Sequence, residues 1–343
     1  MLDIPRFPFD PLVDALKAVA EPTRLRLVIL LSEFDLTVSE LTAILGQSQP
    51  RISRHLKLLA EAGLVVRYQE GAWAYFRVSH EASSAGLVRS MLGWVDEADP
   101  VIRRDAERLE EVRRQRAQRA ADYFARNAAS WDRIRALHAS DTDVEAALLA
   151  ALGRKRFDTL LDIGTGTGRM LELLAPRAER AVGIDASREM LGVARAKLDT
   201  AGIANAQVRL GDAYHLPVDR HGFDLAVVHQ VLHFLDDPAA AVREAAAALS
   251  PGGRLAVIDF APHELEFLRS DHAHMRLGFS DETLTGYAEA AGLETISIDH
   301  LVSKGGETGD LTVTILIAQD RLRLVAGAEP AHAIRSSEEG PTA

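Results

Sequence analysis

The chain has 343 residues, which is more than one ordinary domain of about 150 residues holds, so two domains are expected. Hydrophobic residues make up 47% and charged residues 26%, a composition that excludes a disordered or fibrous protein. The formal net charge of -11 excludes a generic nucleic-acid coat, so any contact with DNA must come from a local basic patch.

Cysteine is absent, which excludes disulfides, zinc–thiolate sites and thiol catalysis. The first ten residues contain no basic stretch followed by an apolar run, and no uncharged apolar segment reaches about 18 residues. We therefore expect no signal peptide, no membrane span and a cytoplasmic location.

Composition divides the chain into four parts. Residues 1–98 combine short helical patterns with one hairpin pattern, and residues 99–130 form a charge-dense connecting helix that serves as a linker and lid. In residues 131–322, strand-like apolar runs alternate with helical runs, as in a parallel sheet with crossover helices. Residues 323–343 are polar and aperiodic, and we expect them to be disordered.

The N-terminal part contains the pattern of a helix-turn-helix. A first helix begins at Asp10–Pro11, and a second follows Pro22. Thr37 and Glu40 form a capping box that starts a short helix ending at Gly46. Ser48 is then placed to cap a further helix that continues to Gly63. Two short helices joined by a glycine-containing turn make a helix-turn-helix.

The second helix of this pair has a cationic face and an apolar face. Arg51, Arg54, His55 and Lys57 lie near its start, which suits a recognition helix or, alternatively, a solvated basic surface. The predicted buried side consists of Ile52, Leu56, Leu58 and Leu59. Two alternating strands around Gly71 follow as a hairpin, on which Arg67 and Arg77 are placed to contact phosphates.

The segments KAVAEPTRLRLVILL and TVSELTAILGQSQPRISRHLKLLAEAGLVVRYQEGAWAYFRVS resemble the ArsR/SmtB family of winged-helix regulators over about residues 12–80. The resemblance implies a homodimer that binds palindromic operator DNA. It also implies a dimer interface formed by the first helix and the segment LVRSMLGWV, through Leu87, Val88, Met91, Leu92 and Val95. The DNA-contacting residues that it implies are Ser48, Gln49, Arg51, Ser53, Arg54, His55, Lys57 and Arg67.

The chain departs from many members of this family at the sensor position. Those members bind metals or arsenite through cysteines in the helix before the recognition helix, where this chain reads SEFDLTVSEL. Without a thiolate, sensing of soft metals is excluded and no metal site is expected. We therefore expect the effector to bind elsewhere in the chain.

A glycine-rich turn lies between the first strand and helix of the C-terminal part. Glycines at 164, 166 and 168 let a ligand approach the backbone closely beyond the carboxyl end of a strand. Dinucleotide binding requires a third glycine at position 169, which is Arg169 here. The spacing therefore argues against a nicotinamide cofactor.

Two carboxylates follow the next two strands. Asp185 is placed to accept both ribose hydroxyls of a nucleoside, and Asp212 to accept from an adenine amino group. Each is alternatively a helix cap or a solvated turn residue. Ser187 is the better cap for the helix that follows, which favours a ligand role for Asp185.

The motifs LLDIGTGTG, VGIDAS, GDAYHLP and FDLAVVHQVLHFLDDP resemble the class I S-adenosylmethionine-dependent methyltransferases over about residues 120–320. The resemblance implies an α/β Rossmann-like domain with a mostly parallel seven-stranded sheet, following an α+β winged helix-turn-helix. It implies S-adenosylmethionine as cofactor and a small-molecule methyl acceptor. The resemblance also implies the cofactor-binding residues. The methionine end is assigned to Asp162, Gly164, Thr165, Gly166 and Gly168, and the ribose side to Asp185, Ala186 and Met190. Adenine is assigned to Asp212 and Ala213, the methyl side to His229, and the lid to Tyr123 and Trp131.

Histidines cluster where this family builds its substrate pocket, at His233, His263, His272 and His274. We assign His233, His272 and His274 to the substrate pocket. A general base or a metal ligand at 272–274 stays an alternative, although loop histidines are usually neither. Arsenite methylation is excluded because its chemistry needs several cysteines.

Three functions remain. The first is a transcriptional regulator in which S-adenosylmethionine or S-adenosylhomocysteine biases operator binding. The second is a methyltransferase acting on a small molecule, with the N-terminal part supplying autoregulation or dimerisation. A winged helix that mediates protein contacts alone is disfavoured by the Arg51, Arg54 and Lys57 face. We favour a bifunctional chain, and the alternative is a regulator whose methyltransferase domain is a sensor without catalysis.

Overall fold

The computed structural model describes residues 7–70, 73–79, 82–132, 141–303 and 311–321. The predicted hairpin turn at Gly71 and the predicted disordered tail, 323–343, lie outside these residues. Within them, no helix is both long and apolar enough to cross a membrane.

The N-terminal module is a winged helix-turn-helix. Its three-stranded antiparallel sheet has the order β1-β3-β2. The bounds of its elements are α1 Phe9–Val19, α2 Pro22–Glu33, β1 Leu36–Thr37, α3 Val38–Leu45, α4 Gln49–Glu61, β2 Val65–Glu70, β3 Trp73–Val78 and α5 Ala82–Leu92.

Local sequence signals start and end these helices largely as predicted. The backbone N–H of Thr37 donates to Glu40 Oε2 at 2.8 Å, and Thr37 Oγ1 accepts from the N–H of Glu40, so the capping box of α3 is confirmed. Gly46 ends α3 at φ 64°. Ser48 stands at the N-cap of α4, but its side chain makes no capping hydrogen bond there, so that prediction is wrong in its chemistry.

The apolar face of α4 is narrower than the sequence pattern predicts. Ile52, Leu56 and Leu59 are buried in the N-terminal core, whereas the side chain of Leu58 is 39% exposed. The prediction for Leu58 is wrong because a helix that packs on one side buries positions three and four apart, and Leu58 follows Leu56 by two.

The predicted connecting helix is α6, Pro100–Asn127, whose 28 residues span about 42 Å. Asp99 caps it by accepting from the N–H of Val101 at 2.7 Å. The helix packs on the winged helix, because Arg26 Nη2 donates to the buried Asp105 Oδ1 at 2.6 Å and Arg108 Nη1 donates to the carbonyl of Ile44 at 2.9 Å. The helix α6 is therefore packed against the N-terminal module and does not extend freely from it.

The C-terminal module is a seven-stranded sheet of order β6-β5-β4-β7-β8-β10-β9 with helices on both faces. The first five strands of that order are parallel, and β10 runs antiparallel to both of its neighbours. The bounds of its elements are α7 Asp141–Leu152, β4 Phe157–Ile163, α8 Arg169–Leu174, β5 Ala178–Asp185, α9 Arg188–Thr200, β6 Ala206–Leu210, β7 Phe223–His229, α10 Pro238–Ala248, β8 Leu249–Phe260, α11 Phe267–Asp271, α12 Asp281–Ala290, β9 Leu293–Ser303 and β10 Leu311–Asp320.

This order confirms the predicted Rossmann-like, mostly parallel seven-stranded fold. Consecutive residues of β4 bury on opposite faces, with Leu160 in one core and Leu161 in the other. The chain order reverses between β4 and β7, so the loops after these two strands lead to helices on opposite faces of the sheet. A ligand crevice is expected between these loops, at the edge formed by the carboxyl ends of the strands.

Candidate functional site

A cavity of about 600 Å³ opens at this edge, between the carboxyl ends of the strands and the C-terminal half of α6. Its volume lies in the usual range for small-molecule sites. Most of the predicted cofactor residues line it together, namely Asp162, Gly164, Thr165, Gly166, Asp185, Ala186, Met190, Asp212, Ala213 and His229.

The glycine turn is fixed by hydrogen bonds to the neighbouring strand. The N–H groups of Gly164 and Thr165 donate to the carbonyl of Ile184 at 2.8 and 2.9 Å. Gly164 and Gly166 adopt φ 69° and 52° and line the cavity. Gly168, at φ 85°, does not line the cavity. It faces α9 instead, where an added Cβ would lie 3.2 Å from the Cβ of Ala194. Its position fits close packing of the turn on that helix.

Asp185 closes β5 and binds the glycine turn. Its Oδ2 accepts from the N–H of Gly166 at 2.8 Å, and its Oδ1 accepts from the N–H of Ser187 at 2.8 Å. Burial raises the pKa of Asp185, although the N–H groups of Ser187, Gly166 and Ala186 act in the opposite direction. Ser187 caps α9 through the N–H of Met190, as predicted, so capping is not the role of Asp185.

Two further carboxylates flank this centre. Asp162 is buried and accepts from Thr165 Oγ1 at 2.5 Å, which holds the first residue of the turn after Gly164. Asp212 Oδ1 accepts from the N–H of Tyr214 at 3.0 Å, so its loop is ordered beside Asp185. The cavity is thus lined by carboxylates from the carboxyl ends of three neighbouring strands, β4, β5 and β6.

Of the two predicted lid residues, Trp131 and Tyr123, only Trp131 lines the cavity. Trp131 lines the cavity, where its Nε1 would lie 3.6 Å from a Cβ at Gly166, and Asp132 anchors the segment by accepting from Thr167 Oγ1 at 2.6 Å. Tyr123 does not line the cavity and is buried, with its hydroxyl 2.7 Å from His272 Nδ1. Burial raises the pKa of Tyr123 to about 12, with a smaller contribution from Asp271.

The three substrate-pocket histidines lie behind the cavity wall. His233 Nδ1 is 2.6 Å from Asp259 Oδ1, both side chains are buried, and the ring of His274 packs 4.1 Å from the ring of His233. None of His233, His272 and His274 is among the described residues that line the cavity, so their substrate role stays a prediction. The described part of the chain contains no group of three or more potential metal ligands.

Sequence reasoning missed several cavity residues that come from distant segments. Gln230 adopts φ 54° and donates its N–H to the carbonyl of Ile258 at 2.7 Å, which sets the backbone after β7. Val231 packs against Gly164. The other cavity-lining residues that the sequence analysis did not predict, and that matter below, are Arg113, Arg116, Phe124, Tyr214, Phe234, Asp236 and Met275. The positive φ of Gln230 had no sequence signal, because Gln is not a residue type that favours it.

The candidate DNA surface is the exposed side of α4 with the adjoining wing. Ser48, Gln49, Arg51, Ser53, Arg54 and Lys57 are all exposed. His55 is half-buried, with Nδ1 3.5 Å from Glu21 Oε2, and burial lowers the pKa of His55. Arg67 on β2 is exposed, whereas Arg77 is half-buried over the ring of Tyr68. Of the two wing arginines predicted to contact phosphates, Arg67 is therefore the more accessible one.

Alanine at Gly164 is expected to destabilise the protein more than alanine at Gly202. Both glycines have φ near 68°, so each substitution costs about 1–2 kcal/mol of backbone strain. A Cβ at Gly164 would also lie 2.4 Å from Val231 Cγ2, whereas Gly202 has no atom within 4 Å, so overpacking adds about 1–3 kcal/mol at Gly164 alone. Urea unfolding followed by circular dichroism measures both, and the double variant Gly164→Ala/Val231→Ala should recover the difference. Equal free energies of unfolding for the two single variants would contradict the packing.

Comparison with known proteins identifies both modules. Residues 21–66 match the model for bacterial regulatory proteins of the arsR family, and residues 161–257 match a methyltransferase domain model. The chain is 42% identical over 98 residues to the arsenic resistance transcriptional regulator ArsR1 of Pseudomonas putida, covering 28% of this chain and 75% of that protein. It is 47% identical over 68 residues to the arsenical resistance operon repressor of Escherichia coli, covering 20% and 58%.

Among solved structures, the chain is 21% identical, with a TM-score of 0.50, to a chain from the complex between the Trm112 methyltransferase activator of Haloferax volcanii and a proposed methyltransferase. That match covers 58% of this chain and 96% of the other, and it shows a shared fold. The chain spans 32% to 58% of the length of the first four curated relatives that it matches.

The protein is a DNA-binding regulator domain joined to a methyltransferase domain. The chain belongs to the arsR family of bacterial regulatory proteins. A methyltransferase domain implies S-adenosylmethionine as the cofactor, and the cavity fits that compound, since it combines a turn without Cβ atoms at 164 and 166 with a half-buried carboxylate beside it at Asp185.

Proposed function

We propose that this protein is a transcriptional regulator whose affinity for operator DNA depends on S-adenosylmethionine or S-adenosylhomocysteine in the C-terminal cavity. The observation that carries the proposal is the double role of α6. Arg113 and Arg116 of this helix line the cavity, while Asp105 and Arg108 of the same helix bind the winged helix. One continuous helix therefore contacts the ligand site and the DNA-binding module.

The cavity residues suit the parts of an adenosyl ligand. Asp185 accepts the ribose hydroxyls, and Asp212 with Ala213 faces the adenine. The glycine turn and Asp162 hold the methionine end, and His229 lies toward the methyl group. The geometric support is that Asp162, Gly164, Gly166, Asp185, Asp212, Ala213 and His229 line one cavity, and that β5, which ends at Asp185, lies between β4 and β6 in the sheet.

Regulation requires that the ligand bind the DNA-competent and DNA-incompetent forms with different affinities. We propose to select a duplex from a randomised DNA library with the full chain, and then to titrate it without ligand, with saturating S-adenosylmethionine and with saturating S-adenosylhomocysteine. A change of about 5- to 150-fold in operator Kd is the usual size of such coupling. Equal Kd values in all three titrations would contradict the proposal.

The selected duplex should be an inverted repeat, because we propose a homodimer with one recognition helix for each half-site. Support comes from apolar side chains that the single chain leaves exposed on α1 and after α5, where Phe9 is 79%, Leu16 45% and Trp94 87% exposed. The predicted interface role of Val88 is wrong, because Val88 is buried in the N-terminal core of its own chain, and Leu87, Met91 and Leu92 pack against that core. Half-sites about 10 base pairs apart fit two recognition helices on one face of the DNA. Selection of a site without two-fold symmetry would contradict the dimer.

A second candidate function is methyl transfer to a small molecule. When bound, S-adenosylmethionine supplies an electrophilic methyl group. The cavity extends beyond the glycine turn to an apolar end formed by Phe124, Trp131, Phe234 and Met275, where Phe124 lies 4.8 Å from Phe234 and 5.3 Å from Trp131 between ring centroids. These rings can orient an acceptor with an apolar body and exclude water, which reduces the barrier without a dedicated acid or base.

Labelled methyl transfer tests this second function. The protein is incubated with S-adenosylmethionine carrying a tritiated methyl group and with a metabolite extract, and Asp185→Ala protein serves as the control. Label in a product that the control does not form supports catalysis. An absence of transfer across a broad extract, with the operator response intact, would show a sensor without catalysis.

A further inference from the structure

One cluster of charged side chains connects the cavity wall to the winged helix. We call it the Asp236 bridge and define it as Asp236, Arg113, Arg116 and Glu40. Arg113 Nε donates to Asp236 Oδ2 at 3.2 Å, and Arg116 Nη1 donates to Asp236 Oδ1. Arg116 Nε donates to Glu40 Oε1 at 2.8 Å. A single guanidinium thus joins two carboxylates from the two modules.

At its cavity end, the bridge is part of the ligand site. Asp236, Arg113 and Arg116 all line the cavity. The backbone N–H of Asp237, the next residue, donates at 3.0 Å to the hydroxyl of Tyr214, which lines the cavity beside Asp212. A ligand that contacts Tyr214 would therefore be one hydrogen bond away from the backbone of Asp237, the neighbour of Asp236.

At its other end, the bridge holds the start of α3. Glu40 binds Arg116 through Oε1 and binds the N–H and hydroxyl of Thr37 through Oε2, both at 2.8 Å. The same carboxylate therefore serves the bridge and the capping box of α3. Leu41 and Ile44 of α3 lie in one buried core with Ile52 of the recognition helix α4, so a movement of the α3 start is passed to α4 by packing.

The central ion pair of the bridge, between Arg116 and Asp236, is largely buried where it meets the cavity. The side chains of Arg116 and Asp236 are 14% and 12% exposed. Burial lowers the pKa of Arg116, but Glu40 and Asp236 raise it by more, so the guanidinium is held charged by its two partners. Charges in such surroundings are screened little by salt, and their energy depends on the water and charge next to them.

We infer that the Asp236 bridge couples ligand occupancy of the cavity to the position of the recognition helix. The inference rests on the proposed function and assigns its coupling element. The two states are a bridge with Arg116 on both carboxylates and a bridge with one of these pairs broken. A ligand that replaces water beside Asp236 and Arg116 changes the balance between the two, and S-adenosylmethionine differs from S-adenosylhomocysteine by the positive sulfonium.

Two substitutions break the bridge in different ways. Arg116→Lys keeps the charge but replaces a planar group, whose Nε binds Glu40 and whose Nη1 binds Asp236, by a single nitrogen without this fixed geometry. Asp236→Asn keeps the side-chain volume and removes the charge that binds Arg113 and Arg116. Arg104→Lys is the matched control, because Arg104 is exposed on the same helix and lies away from the cavity lining.

The experiment measures coupling in both directions with the full-length protein and the selected duplex. Operator Kd is measured with and without saturating S-adenosylhomocysteine, and Kd for S-adenosylhomocysteine is measured by calorimetry with and without the duplex. The two ratios must be equal because linkage is reciprocal. Using ratios removes any change that a variant makes to either affinity by itself.

The expected result is a wild-type ratio of at least 5-fold that falls to within 2-fold of unity in Arg116→Lys and Asp236→Asn and is retained in Arg104→Lys. If both bridge variants keep the wild-type ratio while folded, the bridge is not the coupling element, although the proposed regulation stands. If the wild-type operator Kd responds neither to S-adenosylhomocysteine nor to S-adenosylmethionine, the proposed regulation fails and the inference with it. Should one bridge variant lose its circular dichroism spectrum, the other decides the outcome.

Discussion

Replacement of Asp185 by alanine is expected to weaken binding of S-adenosylmethionine about a hundredfold. A charged hydrogen bond contributes about 1.5–3 kcal/mol, and loss of the acceptor for two ribose hydroxyls amounts to about 3 kcal/mol. The substitution also leaves the N–H of Gly166 and of Ser187 without their acceptor, which loosens the glycine turn. Isothermal titration calorimetry measures the effect directly.

The control for this variant is Asp199→Ala, an exposed carboxylate at the end of α9 outside the cavity lining. It should bind S-adenosylmethionine with the wild-type Kd. A second variant, Asp185→Asn, keeps the side-chain volume and separates loss of the charge from loss of the side chain. Binding by folded Asp185→Ala within threefold of wild type would show that Asp185 does not hold the ribose.

Replacement of Arg54 by alanine is expected to weaken binding of the selected operator by about 5- to 150-fold. An arginine on a recognition helix that binds a guanine edge contributes about 1–3 kcal/mol of discrimination. Arg54 is exposed on α4, one helical turn after the exposed Arg51. Fluorescence anisotropy with the selected duplex and with a scrambled duplex measures the change, and the variant should lose preference between the two.

Arg67→Ala distinguishes base recognition from phosphate contact. Because Arg67 lies on the wing, its loss should weaken binding to both duplexes equally and reduce the slope of log Kd against log salt by about one. The same behaviour for Arg54→Ala would mean that α4 contacts the backbone without reading sequence. Unchanged affinity for both variants would remove α4 and the wing from the DNA interface.

The winged helix and the α/β class of the C-terminal module could be predicted because their signals are local or periodic. The capping box at Thr37, the end of α3 at Gly46 and the alternation of strands with helices all lie within short windows of sequence. The prediction for Leu58 was wrong because its burial depends on the direction in which α4 faces its neighbours. His55 is half-buried for the same reason, since α4 turns it toward Glu21.

The glycine turn and Asp185 could be predicted, whereas the shared wall of the cavity could not. Asp236 and Arg116 are 120 residues apart in the chain, and no motif links them. The charge pattern of α6 shows many arginines, but it does not show which of them face the cavity and which face solvent. That distinction needed the packing of α6 on both modules.

We propose the cavity as the effector site of this member of the arsR family, whose sequence has no cysteine for a thiolate sensor. A thiolate sensor acts on the helix that carries it, whereas a cavity in a second module needs a physical connection to the recognition helix. The Asp236 bridge is our candidate for that connection, and α6 supplies the rigid support on which it stands.

The central claim is that an adenosyl ligand lies in the cavity between Asp162, Asp185 and Asp212. A crystal structure of the full chain with S-adenosylhomocysteine tests it most directly. The account predicts the ribose hydroxyls within hydrogen-bonding distance of Asp185 and the adenine beside Asp212. A ligand bound elsewhere, or a cavity that stays empty at saturating S-adenosylhomocysteine, would contradict it.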